Sequence, residues 1–213
     1  MLRSESYEIR AIKERVGWEN TNKYMLVNVA WNHSKWARLE PNPNIGFGYV
    51  KRKNEAAYSP HESLNFDFNK SGVDTQDRVF GYFQTKYTPI RFSNGGVIFF
   101  WSRNTDDNIG YFIGVYGKAE VFASRTFDYK GFMGDKFWTN ISGAKELSSI
   151  FPFPVKDENY RKNGRRLIYR SNFSYDFDKD RAVKLMEEAI LLGKNNGDIS
   201  KLELIKKYIT NEL

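Results

Sequence analysis

The 213-residue chain contains no cysteine, which excludes disulfides, thiolate chemistry and cysteine-ligated zinc. Histidine is nearly as scarce. His33 and His61 are the whole supply, and each reads as a surface residue ahead of a metal ligand, because metal ligation needs clustered donors. No run of about eighteen apolar residues occurs, so no stretch is expected to span a membrane. The opening MLRSESYEIRAIKER has no apolar core of the secretory type. A cytoplasmic protein is the simplest expectation.

Enzyme signatures are equally thin. No GxGxxG spacing occurs, and Gly114-Val115-Tyr116-Gly117-Lys118-Ala119 has a Gly-Lys pair without the spacing or hydroxyl of a phosphate-binding loop. Asp106-Asp107 reads as a solvated turn. No set of carboxylates with a lysine assembles around one metal. The expectation is a non-enzymatic chain with no metal and no cofactor.

What is present is positive charge and aromatic surface. The net charge is +7 and aromatic residues make up 16% of the chain. A basic surface attracts polyanions, and flat rings offer faces on which bases stack. Mild basicity with a ring-filled core explains the same composition, so nucleic acid and a plain globular core stand level at this point.

The chain is organised around Asn94 to Val121. Asn94-Gly95-Gly96 is a turn signal. Val97 to Trp101 is an unbroken β-branched and aromatic run, suited to a strand buried on both faces. After the polar Ser102 to Asn108, Gly110 to Tyr116 returns as a second strand. Its glycines at 110, 114 and 117 suit a sharp bend or a close backbone approach. Lys23 to Ala30 reads as a buried first strand, Arg78 to Phe83 as another, and Phe66 and Phe68 alternate as a short one. Ser6 to Gly17 is a candidate helix. Phe127 to Asn140 is irregular with Trp138 in the core, and Ser142 to Ser149 suits one or two helical turns. Phe151-Pro152-Phe153-Pro154 is extended and cannot be central in a sheet. Leu167-Ile168-Tyr169 looks like a returning strand. Asp178 to Gly193 and Ser200 to Tyr208 are amphipathic helices.

Two features bear on binding. The first strand ends in Trp31-Asn32-His33-Ser34-Lys35-Trp36. The Trp pair either packs on the core or walls a pocket in which Asn32 meets a planar ligand; both readings stay open. The second feature is basic. Lys51-Arg52-Lys53 forms one patch, and Arg161-Lys162-Asn163-Gly164-Arg165-Arg166 a denser one around an Asn-Gly hairpin turn. Such a tip reaches phosphates and releases counterions.

The Val97 to Val121 block, with its Gly-rich strand GYFIGVYGKAEV, resembles the PUA-like superfamily in its EVE and YTH branches. KYMLVNVAWN resembles the opening strand of those families, and Arg170 to Tyr175 their closing segment. The likeness covers residues 20 to 180. Val27-Asn28 stands where the YTH pattern has Lys-Ser. More narrowly, the chain is similar to the N-terminal DNA-reading domain of archaeal McrB-type, methylation-dependent restriction GTPases.

The resemblance implies an α+β fold: a curved PUA-like (EVE/YTH-like) β-barrel flanked by helices, over residues 1–177. Residues 178–213 would form a helical C-terminal segment, packing on the barrel or linking to a further module. It implies a reader that flips a modified base into an aromatic cage, with N6-methyladenine the first candidate and 5-methylcytosine the second. Trp31, Trp36 and Trp101 would form the cage, with Asn32 and Ser102 on the base edge. Lys35, Lys51, Arg52, Lys53, Arg103, Arg161, Lys162, Arg165 and Arg166 would hold phosphates. The implied partners are double-stranded DNA carrying the modified base, a GTPase module in the same polypeptide and a nuclease subunit. An RNA reader of YTH type and a metal-dependent nuclease are the alternative classes.

Overall fold

A computed structural model describes residues 24–33, 35–36, 61–68, 77–85, 88–89, 92, 95–128, 136–161, 163–165, 167–168, 173–195 and 199–212. Strands β1 (Tyr24–Val29), β2 (Arg78–Gly81), β3 (Gly96–Arg103), β4 (Gly110–Asp128), β5 (Lys136–Ala144), β6 (Ser148–Lys156) and β7 (Phe173–Ser174) form one sheet. Its order is β2-β5-β4-β3-β1-β7, and β6 pairs with β4 off that path. Helices α1 (Lys179–Gly193) and α2 (Ser200–Thr210) follow. The class is α+β.

The unbroken apolar run of β3 is explained by what lies on either side of it. Val97, Phe99 and Trp101 point into one cluster with the apolar faces of both helices. Ile98 and Phe100 point into a second cluster with Met25, Val27, Tyr116 and Ile141. A strand covered on both faces has no reason to alternate polar and apolar residues. The helices bury their spaced positions, Ala182, Leu185, Met186, Ala189 and Ile190 on α1 and Leu202, Ile205 and Ile209 on α2. Asp178 caps α1 by accepting the Arg181 backbone N–H at 2.9 Å, an arrangement worth about 1 kcal/mol.

β4 runs for 19 residues, far beyond the second arm of a hairpin. Its first half lies between β3 and β6, and its second half pairs with β5. The sheet therefore turns a corner along one strand. Within the first half, where Gly114 faces Phe100 and Ile150, the ring of Phe66 rests on Gly114 so closely that a Cβ would sit 2.4 Å from it. Close approach of another side chain is what this glycine permits.

Val79 of β2, Ile141 of β5 and Val27 of β1 share the second cluster, so the sheet curls around it. The rings of Phe83, just past β2, and Phe173 of β7 come to 6.1 Å across its two edges. Among the described residues no ladder joins β2 to β7, so the pairing does not close into a barrel.

β6 bears out the proline argument. Val155 pairs with Phe112 and Ile150 with Gly114. Residues 151–154 thus bulge out against Ile113 alone, and both prolines escape a ladder hydrogen bond. Asn163 and Gly164 both have positive φ, 51° and 72°, as a tight hairpin turn requires.

Several expectations are corrected. Phe66 lies in a turn that follows a 3₁₀ turn at His61–Leu64, because Asn65 is drawn out to pair with the Tyr82 backbone. The irregular 127–140 stretch contains the start of β5, and Trp138, expected in the core, is 44% exposed. Strand alternation puts Phe137 and Ile141 inward and leaves Trp138 outside. The helical expectation at 142–149 shrinks to one 3₁₀ turn, Lys145–Leu147, between β5 and β6. Leu167 and Ile168 are not in a strand; the returning pairing is made by Phe173 and Ser174 against Val27 and Leu26. His61 is half-buried, its pKa lowered to about 4 by desolvation, and its Nδ1 accepts the Trp138 backbone N–H at 3.3 Å. The Ser6–Gly17 helix lies outside the described residues.

Candidate nucleic-acid interface

β1 and β3 are parallel, with Asn28 opposite Trp101 and Val29 opposite Ser102. Their C-terminal ends therefore finish together, and the loops that leave them share one end of the sheet. Tyr111 opposite Ser102 on β4, and Lys156 of β6 opposite Tyr111, complete that end.

Trp31 is the hub of an aromatic group there. Its ring lies 5.3 Å from Trp36, 5.6 Å from Tyr111 and 6.2 Å from His33. Trp36 is fully engaged. Its indole N–H donates to the Ala30 carbonyl at 2.8 Å, its backbone N–H donates to Asn32 Oδ1 at 3.4 Å, and its carbonyl accepts from Phe66 at 2.8 Å. Trp31 is only partly buried, yet its Nε1 is shielded from solvent and has no hydrogen-bond partner. A shielded donor left unmade costs about 1–3 kcal/mol. Lys35 and Trp36 both sit at positive φ, 56° and 52°, a conformation disfavoured for residues with a Cβ by roughly 1–2 kcal/mol each. Strain and an unmet donor thus coincide in one short loop.

The neighbouring loop is tied down. Asp106 meets His33 Nε2 at 3.0 Å. Asp107 accepts the Tyr111 hydroxyl at 2.7 Å and the Ile109 N–H at 2.8 Å. The backbone bond from Ile109 lowers the Asp107 pKa, and the bond to Asp107 pushes Tyr111 up to about 12. The two carboxylates lie in a solvent-exposed turn, as expected, and from it they brace the aromatic wall. Beneath the site, buried Glu62 accepts the backbone N–H groups of Ala30 at 3.1 Å and Gln84 at 2.9 Å. Nothing in the sequence marked Glu62; its burial depends on contacts distant along the chain.

Ser102 and Trp101 do not join this group. Ser102 is fully buried and its hydroxyl donates to the Val29 carbonyl at 2.8 Å, stitching β3 to β1. Trp101 alternates to the helix-covered face, where Nε1 donates to Asp157 Oδ2 at 3.1 Å. Its ring covers Gly110 so closely that a Cβ there would lie 2.5 Å from it. The three tryptophans expected to form a cage are not brought together: Trp31 meets Trp36 and Tyr111, while Trp101 lies in the other cluster. Trp101 cannot reach them, because a one-residue step along a strand changes face.

Among the cations, Lys35, Arg103 and Arg165 are exposed. Arg103 Nε donates to the Asn108 carbonyl at 3.4 Å. Arg161 is half-buried and pinned to Asp157 Oδ1 at 2.9 Å, so it anchors the root of the basic turn. Lys51, Arg52, Lys53, Lys162 and Arg166 lie outside the described residues.

No family model, curated protein or solved structure matches the chain. The site is therefore argued from its own geometry. Among the described residues no three His, Asp or Glu side chains are grouped to hold a metal ion, and no helix is long and apolar enough to cross a membrane.

Proposed function

We propose that this chain reads a modified base in DNA, N6-methyladenine for preference and 5-methylcytosine behind it, at the shared end of β1 and β3. The observation that carries the reading is Trp31: a partly open indole, ringed by Trp36 and Tyr111, whose shielded Nε1 lacks an acceptor. A flipped base offers ring nitrogens as acceptors and a flat face for stacking, and together these offset a few kcal/mol of unstacking. An N-methyl group adds apolar surface for an indole to cover. The strained Lys35–Trp36 turn is the part that yields when a base enters. Lys35, Arg103 and Arg165 supply phosphate contacts around it.

In this reading the curled sheet is a PUA-like barrel whose edges meet at Phe83 and Phe173. The chain would serve as the recognition module of a cytoplasmic modification-dependent restriction system, with a GTPase module and a nuclease subunit as its partners.

The test is a binding titration at fixed salt against matched duplexes carrying adenine, N6-methyladenine or 5-methylcytosine. A preference of about tenfold, or 1.4 kcal/mol, for one modified duplex is expected. Trp31→Ala should abolish that preference and leave weak, salt-sensitive binding. Equal affinity for all three duplexes would sink the proposal, and tighter binding to methylated RNA of the same sequence would move it to an RNA reader.

A further inference from the structure

Helix α1 carries more apolar surface than its packing uses. Ala182, Leu185, Met186, Ala189 and Ile190 make up its buried apolar face. Leu191 and Leu192 follow directly, yet they are 66% and 42% exposed. Phe153, on the bulge of β6, is 41% exposed. Pro152 beside it packs on Gly193, where a Cβ would lie 3.0 Å from the proline Cγ. The leucine pair and the Phe-Pro bulge thus border one another. Three of the four exposed large hydrophobic side chains among the described residues stand here. Scattered apolar residues need no explanation, but a contiguous group marks an interaction surface.

The charges around Leu191 point to what covers it. Glu187, Leu191 and Lys194 are spaced i, i+4 and i+7, which is one stripe of a helix, and all three are exposed. Lys194 keeps helical dihedrals, φ −50° and ψ −35°, so it continues the stripe past Gly193. Lys206 of α2 braces Glu187 at 2.7 Å and holds its carboxylate at the surface. Glu188, beside the stripe, is engaged by the Tyr160 hydroxyl at 2.7 Å. The stripe therefore runs negative, apolar, positive. Turned end for end about a two-fold axis at Leu191, it meets itself with opposite charges facing. Glu187 of each copy comes against Lys194 of the other, and the leucines meet between them. Two-fold contacts have this reciprocal form. Addition of a foreign strand is disfavoured here, because Pro152 and Pro154 interrupt β6.

We infer that this surface is an interface between two copies of the chain, formed by antiparallel pairing of α1 across a two-fold axis at Leu191. Leu192 and Phe153 flank the leucine seam, and two Glu187–Lys194 pairs close its ends. With so few large side chains in each copy the contact lies at the small end of protein interfaces, so the pair dissociates on dilution. The pairing requires no nucleic acid and does not depend on the Trp31 site.

The experiment is sedimentation equilibrium of the full chain over a range of concentrations, without nucleic acid. The weight-average mass of the parent rises from that of one chain toward that of two. Leu191→Glu sets two carboxylates against each other at the axis and stays monomeric. Because Leu191 is exposed, this variant keeps the parent's thermal midpoint at dilutions where the parent is also monomeric. Glu187→Lys and Lys194→Glu each bring like charges together, and each weakens self-association about tenfold. Mixed in equal amounts, these two variants regain the parent's affinity, because opposite charges then face each other at both ends of the seam. General apolar stickiness would give no such recovery. Trp31→Ala sediments like the parent. Three results overturn the inference: a parent that stays monomeric at every concentration; parent-like association of Leu191→Glu; or a mixture that associates no more tightly than its components. Failure of the modified-base reading would leave all of these measurements unchanged.

Discussion

Trp31 and Trp101 stand at the ends of neighbouring strands in one sheet, and their surroundings have almost nothing in common. Trp101 is 6% exposed, its N–H is held by Asp157, and the chain beneath it is cut down to Gly110 to make room. Trp31 is partly open, its N–H is unmet, and the loop beside it is strained. The same residue type therefore serves as a fixture in one place and as an offered surface in the other. What separates them is which face of the sheet each side chain meets. One face is sealed by two helices; the other opens at the strand ends.

The comparison breaks first at Trp101. Trp101→Ala should cost about 3–5 kcal/mol, as expected when a buried aromatic is removed and its partner Asp157 is left with a lost bond. Chemical denaturation measures this. A cost below about 1 kcal/mol would mean that Trp101 is no fixture and would return it to the binding site.

Glu62 tests the floor under the aromatic group. Burial pushes its pKa up to about 7, against the two backbone donors that favour the ionised form. The folded chain thus holds this proton more tightly than the unfolded chain, whose value is near 4.5. Its contribution to stability is complete below that value and is lost as pH rises through about 7. The loss is on the order of 3 kcal/mol for a shift of this size. Glu62→Gln cannot ionise, so its unfolding free energy should stay flat between about pH 5 and pH 8 while the parent's declines. Parallel curves would show that the buried carboxyl does not titrate there.

The smallest effect is expected at Trp31. Trp31→Ala should change stability by about 1 kcal/mol or less, because the lost packing is offset by removal of a shielded, unmet donor. A loss as large as that of Trp101→Ala would make Trp31 a second fixture and would withdraw the reason for placing a base there.

Much of this was legible beforehand. The buried strands at residues 24–29 and 96–103, the two amphipathic helices, the positive-φ turn at Asn163-Gly164 and the edge position of the proline segment follow from local patterns that carry their own mechanism. The close approaches to β4 were foreshadowed by its glycines, though not the 19-residue length that takes it into both halves of the sheet. The site was half legible. Trp31 and Trp36 stand together in the sequence and together in the fold. Tyr111, Asp106, Asp107 and Glu62 join them from far along the chain, and no spacing announces such a meeting.

The sequence by itself determined the buried strands β1 and β3 and the two amphipathic helices, since period and turn chemistry act over a few residues. It determined also that the chain would be basic and rich in flat rings. Only the tertiary structure decided which rings are buried. The parallel pairing of β1 with β3 joins residues some seventy positions apart, and the bulge between Phe100 and Trp101 sets how β3 meets β4. A side chain's face follows from register, and register depends on partners that the local sequence does not name. For that reason Trp101 went inside, Trp138 went outside, and Trp31 was left at the opening.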